Sequence, residues 1–151
     1  ISLLPTEFGG GWIDALFTTA LDGADHPDVA AICGTRGSAH LLIYRAGGVT
    51  QYVPFGRRAW HAGPSRFEGR ERCNDFSIGI ELEGCDTVPY EAVQYVCLAR
   101  IAVLLMQAYP GLTPARIVGH CDVAPGRKTD PGPAFDWERL RGLVTAVKAN
   151  D

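Results

Sequence analysis

The sequence lacks any apolar run long enough to cross a bilayer. The longest, such as Ile101 to Met106, fall far short of the roughly 20 residues a membrane helix needs. It also lacks an excess of positive charge: 14 Lys and Arg stand against 17 Asp and Glu, a formal net charge of −3. That balance excludes sequence-independent affinity for nucleic acid or an anionic membrane. No Cys-x-x-Cys pair occurs among the five cysteines (Cys33, Cys73, Cys85, Cys97, Cys121). The odd count argues against a disulfide framework and for a reducing compartment, with most cysteines serving as small buried hydrophobes. Repeats, low-complexity tracts and Ser/Gly linkers are absent too, so one domain over residues 1–151 is expected.

Several catalytic signatures are missing as well. There is no Gly-x-Ser-x-Gly nucleophile elbow and no helical His-Glu-x-x-His zinc motif. Gly126-Arg127-Lys128-Thr129 resembles a phosphate-binding loop only superficially, because Arg127 separates the glycine from the lysine. What remains is a chain with 46% hydrophobic and 21% charged residues, the composition of an ordinary globule with a real core.

Periodicity divides the chain into elements. Ile13, Leu16, Phe17 and Ala20 have helical spacing, so Ile13 to Leu21 is predicted as a helix after a turn at Phe8 to Gly11. Asp28 to Cys33 reads as a short helix or a connecting strand. Ala39 to Tyr44 and Val49 to Val53 read as a hairpin around Ala46-Gly47-Gly48. Arg57 to Gly63 reads as a loop or short strand, and Pro64 to Asn74 as an exposed polar segment.

Phe76 to Glu83 is the clearest strand, with Phe76, Ile78, Ile80 and Leu82 on one face and Ser77, Gly79, Glu81 and Glu83 on the other. The small Ser77 and Gly79 suggest space above the sheet for a ligand beside Glu81. Thr87 to Tyr109 is predicted as a long helix with a stripe of Val93, Val96, Cys97, Ile101, Leu104, Leu105 and Ala108. Ile117 to His120 is a short strand. Asp136 to Lys148 is a closing helix, N-capped by Asp136, with Leu140, Leu143, Val144 and Val147 inward. The alternation implies an α/β or α+β fold, a central mixed sheet flanked by helices in three layers.

The chemistry concentrates in the segment from Gly119 to Pro133. Pro125, Pro131 and Pro133 deny it backbone donors, so it reads as a loop rather than regular structure. His120 and Asp130 are both zinc ligand types, and a catalytic zinc site keeps three protein ligands and one open position. Glu81 is a candidate general base. Lys128 is a candidate stabiliser of an oxyanion.

Each of these residues alone has a plainer explanation. A carboxylate on a strand commonly faces water, a loop lysine is commonly a solvated charge, and an aspartate commonly caps a turn. Cys121 adjoins His120, but neighbours on an extended segment point oppositely, which argues against a shared metal. His40 reads as a satisfied structural histidine and His26 as a turn residue. His61 is open between ligand contact and packing.

Ordered blocks along the whole chain carry a resemblance. They include Ser38-Ala39-His40, Gln51 to Phe55, Arg58 to Gly63 and Gly69 to Asp75. Ser77 to Gly84, Gly119 to Pro133 and Phe135-Asp136-Trp137 follow. In these the chain closely resembles the zinc amidase/peptidoglycan-recognition superfamily, and Cys73-Asn74-Asp75 with the long C-terminal loop points to its anhydro-muramyl-L-alanine amidase branch.

The resemblance implies one zinc ion and cleavage of the amide between anhydro-muramic acid and L-alanine, in cytoplasmic recycling of cell-wall muropeptides by a monomer. It implies His120 and Asp130 as metal ligands and Glu81 and Lys128 as catalytic residues. It implies Arg36, Trp60 and Arg72 as substrate-lining positions. The superfamily's first zinc ligand is a histidine in a His-Asn pair before the Ile-Ser block, which begins here at Ile1, so that ligand is expected upstream. The alternative function is a peptidoglycan-recognition module that binds muropeptide without cutting it.

Overall fold

The computed structural model describes residues 38–150 in full and the backbone of residues 15–21. Expectations for Phe8 to Gly11, His26, Asp28 to Cys33 and Arg36 lie outside the described residues.

A five-stranded sheet organises the molecule. Its strands are β1 (Ala15–Leu21), β2 (Leu41–Ile43), β3 (Val49–Gln51), β6 (Ser77–Glu83) and β7 (Ile117–Gly119), in the order β3-β2-β6-β1-β7. β1, β2, β6 and β7 run parallel, and β3 returns antiparallel to β2. The sheet is therefore mixed, as expected. A small hairpin, β4 (Arg66–Phe67) with β5 (Arg70–Glu71), stands apart from it.

β1 corrects the first predicted element. The segment expected to be helical is a strand, hydrogen-bonded to β6 from Ala15↔Ser77 to Leu21↔Glu83 and to β7 from Leu16↔Ile117 to Thr18↔Gly119. A short apolar run fits either period, and partners on both sides decide for the strand.

β6 follows its alternation. Ile78, Ile80 and Leu82 join Phe76 in the core against the long helix α1 (Ala92–Ala108) and the C-terminal helix α3 (Trp137–Asn150), which pack on each other. α1 starts five residues later than Thr87, and its buried face overlaps the expected stripe only at Leu105 and, partly buried, Cys97 and Ile101. Tyr95, Leu98, Ala99, Ala102, Val103 and Leu105 are buried, whereas Val93 and Leu104 are 40% and 61% exposed.

The helix is apolar nearly all round, so periodicity could not choose a face. Small Ala99 and Ala102 permit close approach. Buried Gln94 completes the choice: its Nε2 donates to the carbonyls of Ile43 (3.3 Å) and Glu83 (3.0 Å), and its Oε1 accepts the Glu91 N–H (2.9 Å). α3 behaves as read: Asp136 Oδ1 accepts the Arg139 N–H at 2.9 Å, and Leu140 and Val144 are buried.

Two further expectations change. Residues His120–Val123 form one helical turn, α2, before Pro125 stops it, so the Gly119–Pro133 segment is not wholly irregular. Cys121 accordingly lies in a helical turn rather than on an extended segment, and its N–H donates to Asp130 O at 3.0 Å. The polar segment ending at Asn74 is exposed over most of its length, but Cys73 and Asn74 are buried in a single 3-10 turn (Cys73–Asp75). Among the described residues, no helix is long and apolar enough to cross a membrane.

Candidate functional site

Glu81 and His120 reach the same edge of the sheet because their strands are parallel. Glu81 pairs with Thr19 of β1 and Gly119 with Thr18, so His120, one residue on, emerges at the level of Glu81. The carboxyl ends of parallel strands commonly form ligand crevices, because the chain leaves the sheet there in loops.

His120 is buried, and its two nitrogens have distinct neighbours. Nε2 lies 3.0 Å from the carbonyl oxygen of Ala62, and Nδ1 lies 3.1 Å from Asp130 Oδ2. With Nε2–H donated to that carbonyl, Nδ1 can offer a lone pair on the carboxylate side, the form a metal ligand needs. Two lone pairs facing at that distance repel unless a proton or a cation stands between them. Two ligand atoms each about 2.0–2.1 Å from a tetrahedral zinc lie about 3.3 Å apart, close to this separation. The donor types and the spacing fit a divalent metal. Among the described residues no third His, Cys, Asp or Glu completes a metal-binding group with them.

The loop holding Asp130 is tied down at several points. Thr129 Oγ1 donates to Asp86 Oδ2, Tyr90 Oη donates to Pro131 O at 3.0 Å, and Ala134 N–H donates to Asp86 O at 3.2 Å. Gly132, at φ +80°, has no room for a side chain, since a Cβ would meet Asp86 atoms at 2.4–2.5 Å. These contacts place Asp130 against a helical turn ten residues upstream, a juxtaposition that spacing alone does not specify.

Glu81 is half-buried, and its Oε2 is enclosed without a hydrogen-bond partner among the described residues. Burial pushes its carboxyl up to about 7, and the nearby charge of Asp130 adds to the rise. A carboxyl poised there can both take and give a proton at neutral pH.

Lys128 is exposed on the same loop, its N–H donating to Ala124 O at 3.1 Å. Trp60 is 53% exposed, with the Arg58 guanidinium 3.8 Å over its ring. Arg58 pairs with Asp75 at 2.8 Å, and Asp75 also pairs with Arg72 Nε at 3.1 Å. Trp60 and Arg72 are thus linked through Arg58 and Asp75, by one cation–π contact and two ion pairs. Arg72 also lines a cavity of about 530 Å3, with Ser65, Arg66, Val123, Pro125 and Arg127.

The open space expected above Ser77 and Gly79 is occupied. The His61 ring lies over Gly79, where a Cβ would sit 2.3 Å from His61 Cγ. Glycine at 79 is therefore a packing requirement of His61. His61 Nε2 lies 3.3 Å from Ser77 O, and burial holds the imidazole well below its usual pKa. His40 is the satisfied structural histidine expected of it. Its Nδ1 accepts the Gly79 N–H (3.1 Å) and its Nε2 donates to Arg57 O (3.0 Å).

Sequence reasoning passed over two contributors. Asn74 is buried, and its Oδ1 accepts the N–H groups of His61 (3.0 Å) and Ala62 (2.8 Å). Arg127 donates to the carbonyl of Ala62. For Asn74 the available signal was an amide side chain just ahead of a buried strand. Arg127 had none beyond lying between two glycine- and proline-rich turns.

A mixed sheet flanked by helices, with a His–carboxylate pair and an enclosed glutamic acid at its carboxyl edge, is an α+β fold carrying groups suited to acid–base chemistry. Comparison with known proteins specifies the class. The family model for N-acetylmuramoyl-L-alanine amidase matches residues 12–133, and the chain belongs to that family.

It is 60% identical over 145 residues to the 1,6-anhydro-N-acetylmuramyl-L-alanine amidase AmpD of Escherichia coli (strain K12), covering 96% of this chain and 79% of the relative. Its fold matches the crystal structure of a selenomethionine derivative of AmpD with a TM-score of 0.79 at 46% identity, covering 88% of this chain and 85% of that one. It also matches AmpDh3 of Pseudomonas aeruginosa, solved in complex with anhydromuramic pentapeptide, with a TM-score of 0.78 at 32% identity. That match covers 93% of this chain and 63% of AmpDh3.

Proposed function

We propose that this protein is a zinc-dependent amidase that hydrolyses the bond between 1,6-anhydro-N-acetylmuramic acid and L-alanine in muropeptides, and serves cytoplasmic cell-wall recycling as one domain over residues 1–151. The observation that carries the reading is His120 Nδ1 facing Asp130 Oδ2 at 3.1 Å, with the enclosed Glu81 carboxyl at the same edge of the sheet. The relatives' names supply the substrate, since AmpD is an anhydro-muramyl-L-alanine amidase and AmpDh3 holds an anhydromuramic pentapeptide.

His120 through Nδ1 and Asp130 through its carboxylate would hold the zinc. When bound, zinc supplies a Lewis acid and lowers the pKa of water to about 7. Glu81 takes a proton from the attacking water at its carboxyl oxygen and returns it to the departing nitrogen of L-alanine. Its pKa near 7 suits both transfers. The carbonyl carbon gains the water oxygen, the C–N bond breaks, and the proton leaves with the amine. Lys128 meets the negative charge that develops on the carbonyl oxygen. Arg36, Trp60 and Arg72 line the substrate, with Arg72 suited to a peptide carboxylate.

The test is mass spectrometry of anhydro-muramyl tripeptide after incubation with the full-length protein, before and after chelation. The expected result is cleavage to anhydro-muramic acid and free tripeptide, abolished by chelation and restored by zinc. Full turnover by rigorously metal-free protein would overturn the mechanism. Retention of the peptide without cleavage would favour a binding module.

A further inference from the structure

Trp60 is 53% exposed, yet its backbone is pinned. Its N–H donates to Ser38 Oγ and its carbonyl accepts the Ser38 N–H, each at 3.0 Å. The turn that follows, at residues 62–64, is held by Asn74 on its N–H side and by Arg127 on its carbonyl side. The Arg58 guanidinium covers the indole at 3.8 Å. An exposed aromatic ring fixed in this way can take a second ring on its open face at little cost in entropy.

Arg58 is in turn held by Asp75. Its Nη2 meets Asp75 Oδ1 at 2.8 Å, while its Nε is enclosed without a hydrogen-bond partner among the described residues. The other oxygen of the same carboxylate, Oδ2, meets Arg72 Nε at 3.1 Å. Arg72 lines the cavity of about 530 Å3, and Trp60 does not. The Arg72 backbone is fixed too, at φ +63°. Its N–H donates to Ser65 O at 3.0 Å, and its carbonyl accepts the Asp75 N–H at 2.8 Å.

Asp75 thus joins two groups of different chemistry. One is an aromatic face, suited to the apolar side of a sugar ring. The other is a guanidinium contacted by Asp75 through Nε, whose two terminal nitrogens suit a further carboxylate. One carboxylate between two guanidiniums leaves the group net positive, which favours an anion at the cavity. A muropeptide carries these two features apart, the ring at one end and carboxylates along the peptide. Exposed ion pairs add little to stability, so the consequence of this pairing lies in where it puts the indole and the guanidinium.

We propose that Asp75 is a positioning residue that sets both ends of the muropeptide site at once, holding Arg58 against the Trp60 indole through Oδ1 and Arg72 at the cavity through Oδ2. The inference rests on the reading of the substrate as an anhydro-muropeptide.

The experiment compares full-length wild type, Asp75→Asn and Arg58→Met on two substrates. One is anhydro-muramyl tripeptide. The other is anhydro-muramyl-L-alanine amide, which keeps the sugar and the scissile bond but has no peptide carboxylate. Asp75→Asn should raise KM about 10-fold for the tripeptide and about 3-fold for the amide, with kcat near wild type. Arg58→Met touches the indole end alone and should raise KM about 3-fold for both. Both variants should shift the Trp60 indole 15N–1H resonance, and thermal melting reports folding.

Equal KM rises for the two substrates in Asp75→Asn would overturn the two-ended role, and so would wild-type KM for both. A fall in melting temperature with KM and the indole resonance unmoved is the mark of a merely structural role and overturns it as well. Should Asp75→Asn fail to fold, Arg58→Met and Arg72→Lys decide the two halves separately. The first should raise KM for both substrates and the second for the tripeptide alone; any other pattern overturns the proposal. If wild type cleaves neither compound, the amidase reading fails. Calorimetric binding of the same two compounds then makes the same comparison in Kd, and absence of binding overturns both.

Discussion

Where α1 and α3 meet the sheet, the contacts are almost wholly apolar: Leu98, Ala99, Ala102, Leu140 and Val144 pack on Ile78, Ile80 and Leu82. On the opposite face and along the carboxyl edge, buried polar atoms dominate. His40, His61, Asn74, His120 and Asp130 are all enclosed. The first region is held by area removed from water, which is non-directional and tolerant of detail. The second is held by hydrogen bonds whose loss strands a buried partner, so it is sensitive to single atoms. One face of β6 therefore serves stability and the other serves placement of chemistry, within the same seven residues.

The largest effect should come from the polar region and leave the fold alone. Glu81→Gln keeps the shape and removes the carboxyl proposed to carry the proton. We expect kcat to fall by about 10²–10⁴-fold, the usual worth of a general acid–base, with zinc content and melting temperature near wild type. Steady-state kinetics with metal analysis checks this, and an active Glu81→Gln enzyme would remove the role assigned to Glu81.

Leu98→Ala is the converse. Leu98 is fully buried in the helix–sheet core, so about 2–5 kcal/mol of stability should be lost. The kcat/KM per folded molecule should stay unchanged. Urea denaturation and activity on one preparation read both, and a large fall in kcat/KM of folded protein would join two regions that are separate here.

The polar region should also make stability depend on pH. Burial lowers the His40 pKa from 6.5 to about 4. The unfolded chain binds the extra proton between those values, so stability is complete above about pH 6.5 and is lost as pH falls toward 4. Between pH 7 and 5 the loss should be about 2 kcal/mol from this group, with His61 acting in the same direction. Denaturant titrations across that range should show a shallower pH dependence in His40→Gln; an identical slope would exclude His40 as a source.

The smallest effect is a local one in the apolar layer. Asp136→Ala removes the cap accepted from Arg139 and should cost about 1 kcal/mol, without change in activity. A shift in kcat would show that the helix end communicates with the loop through Phe135.

Legibility in the sequence followed the same division. The alternation of β6, the hairpin at Gly47-Gly48 and the cap and inward face of α3 are local patterns, each set by a period of two or 3.6 or by a turn residue. β1 was misread because its run is too short to distinguish those periods. The α1 face was misread because nearly every position is apolar, leaving close-packed alanines and buried Gln94 to decide. For the site, residue types and resemblance named His120, Asp130, Glu81 and Lys128, but not how the first two come to face each other.

By itself, then, the sequence determined where the clearest strand and the turns fall and which side chains are ionisable groups of the types a hydrolase uses. Local sterics and hydrophobic period depend only on neighbours along the chain. Only the tertiary structure decided that His61 fills the space over Gly79 and that the Ala62 carbonyl meets His120 at Nε2. It also decided that Arg127 and Asn74 grip the turn between them. These depend on atoms 12 to 65 residues apart in sequence, which meet only when parallel strands bring their carboxyl ends to one edge.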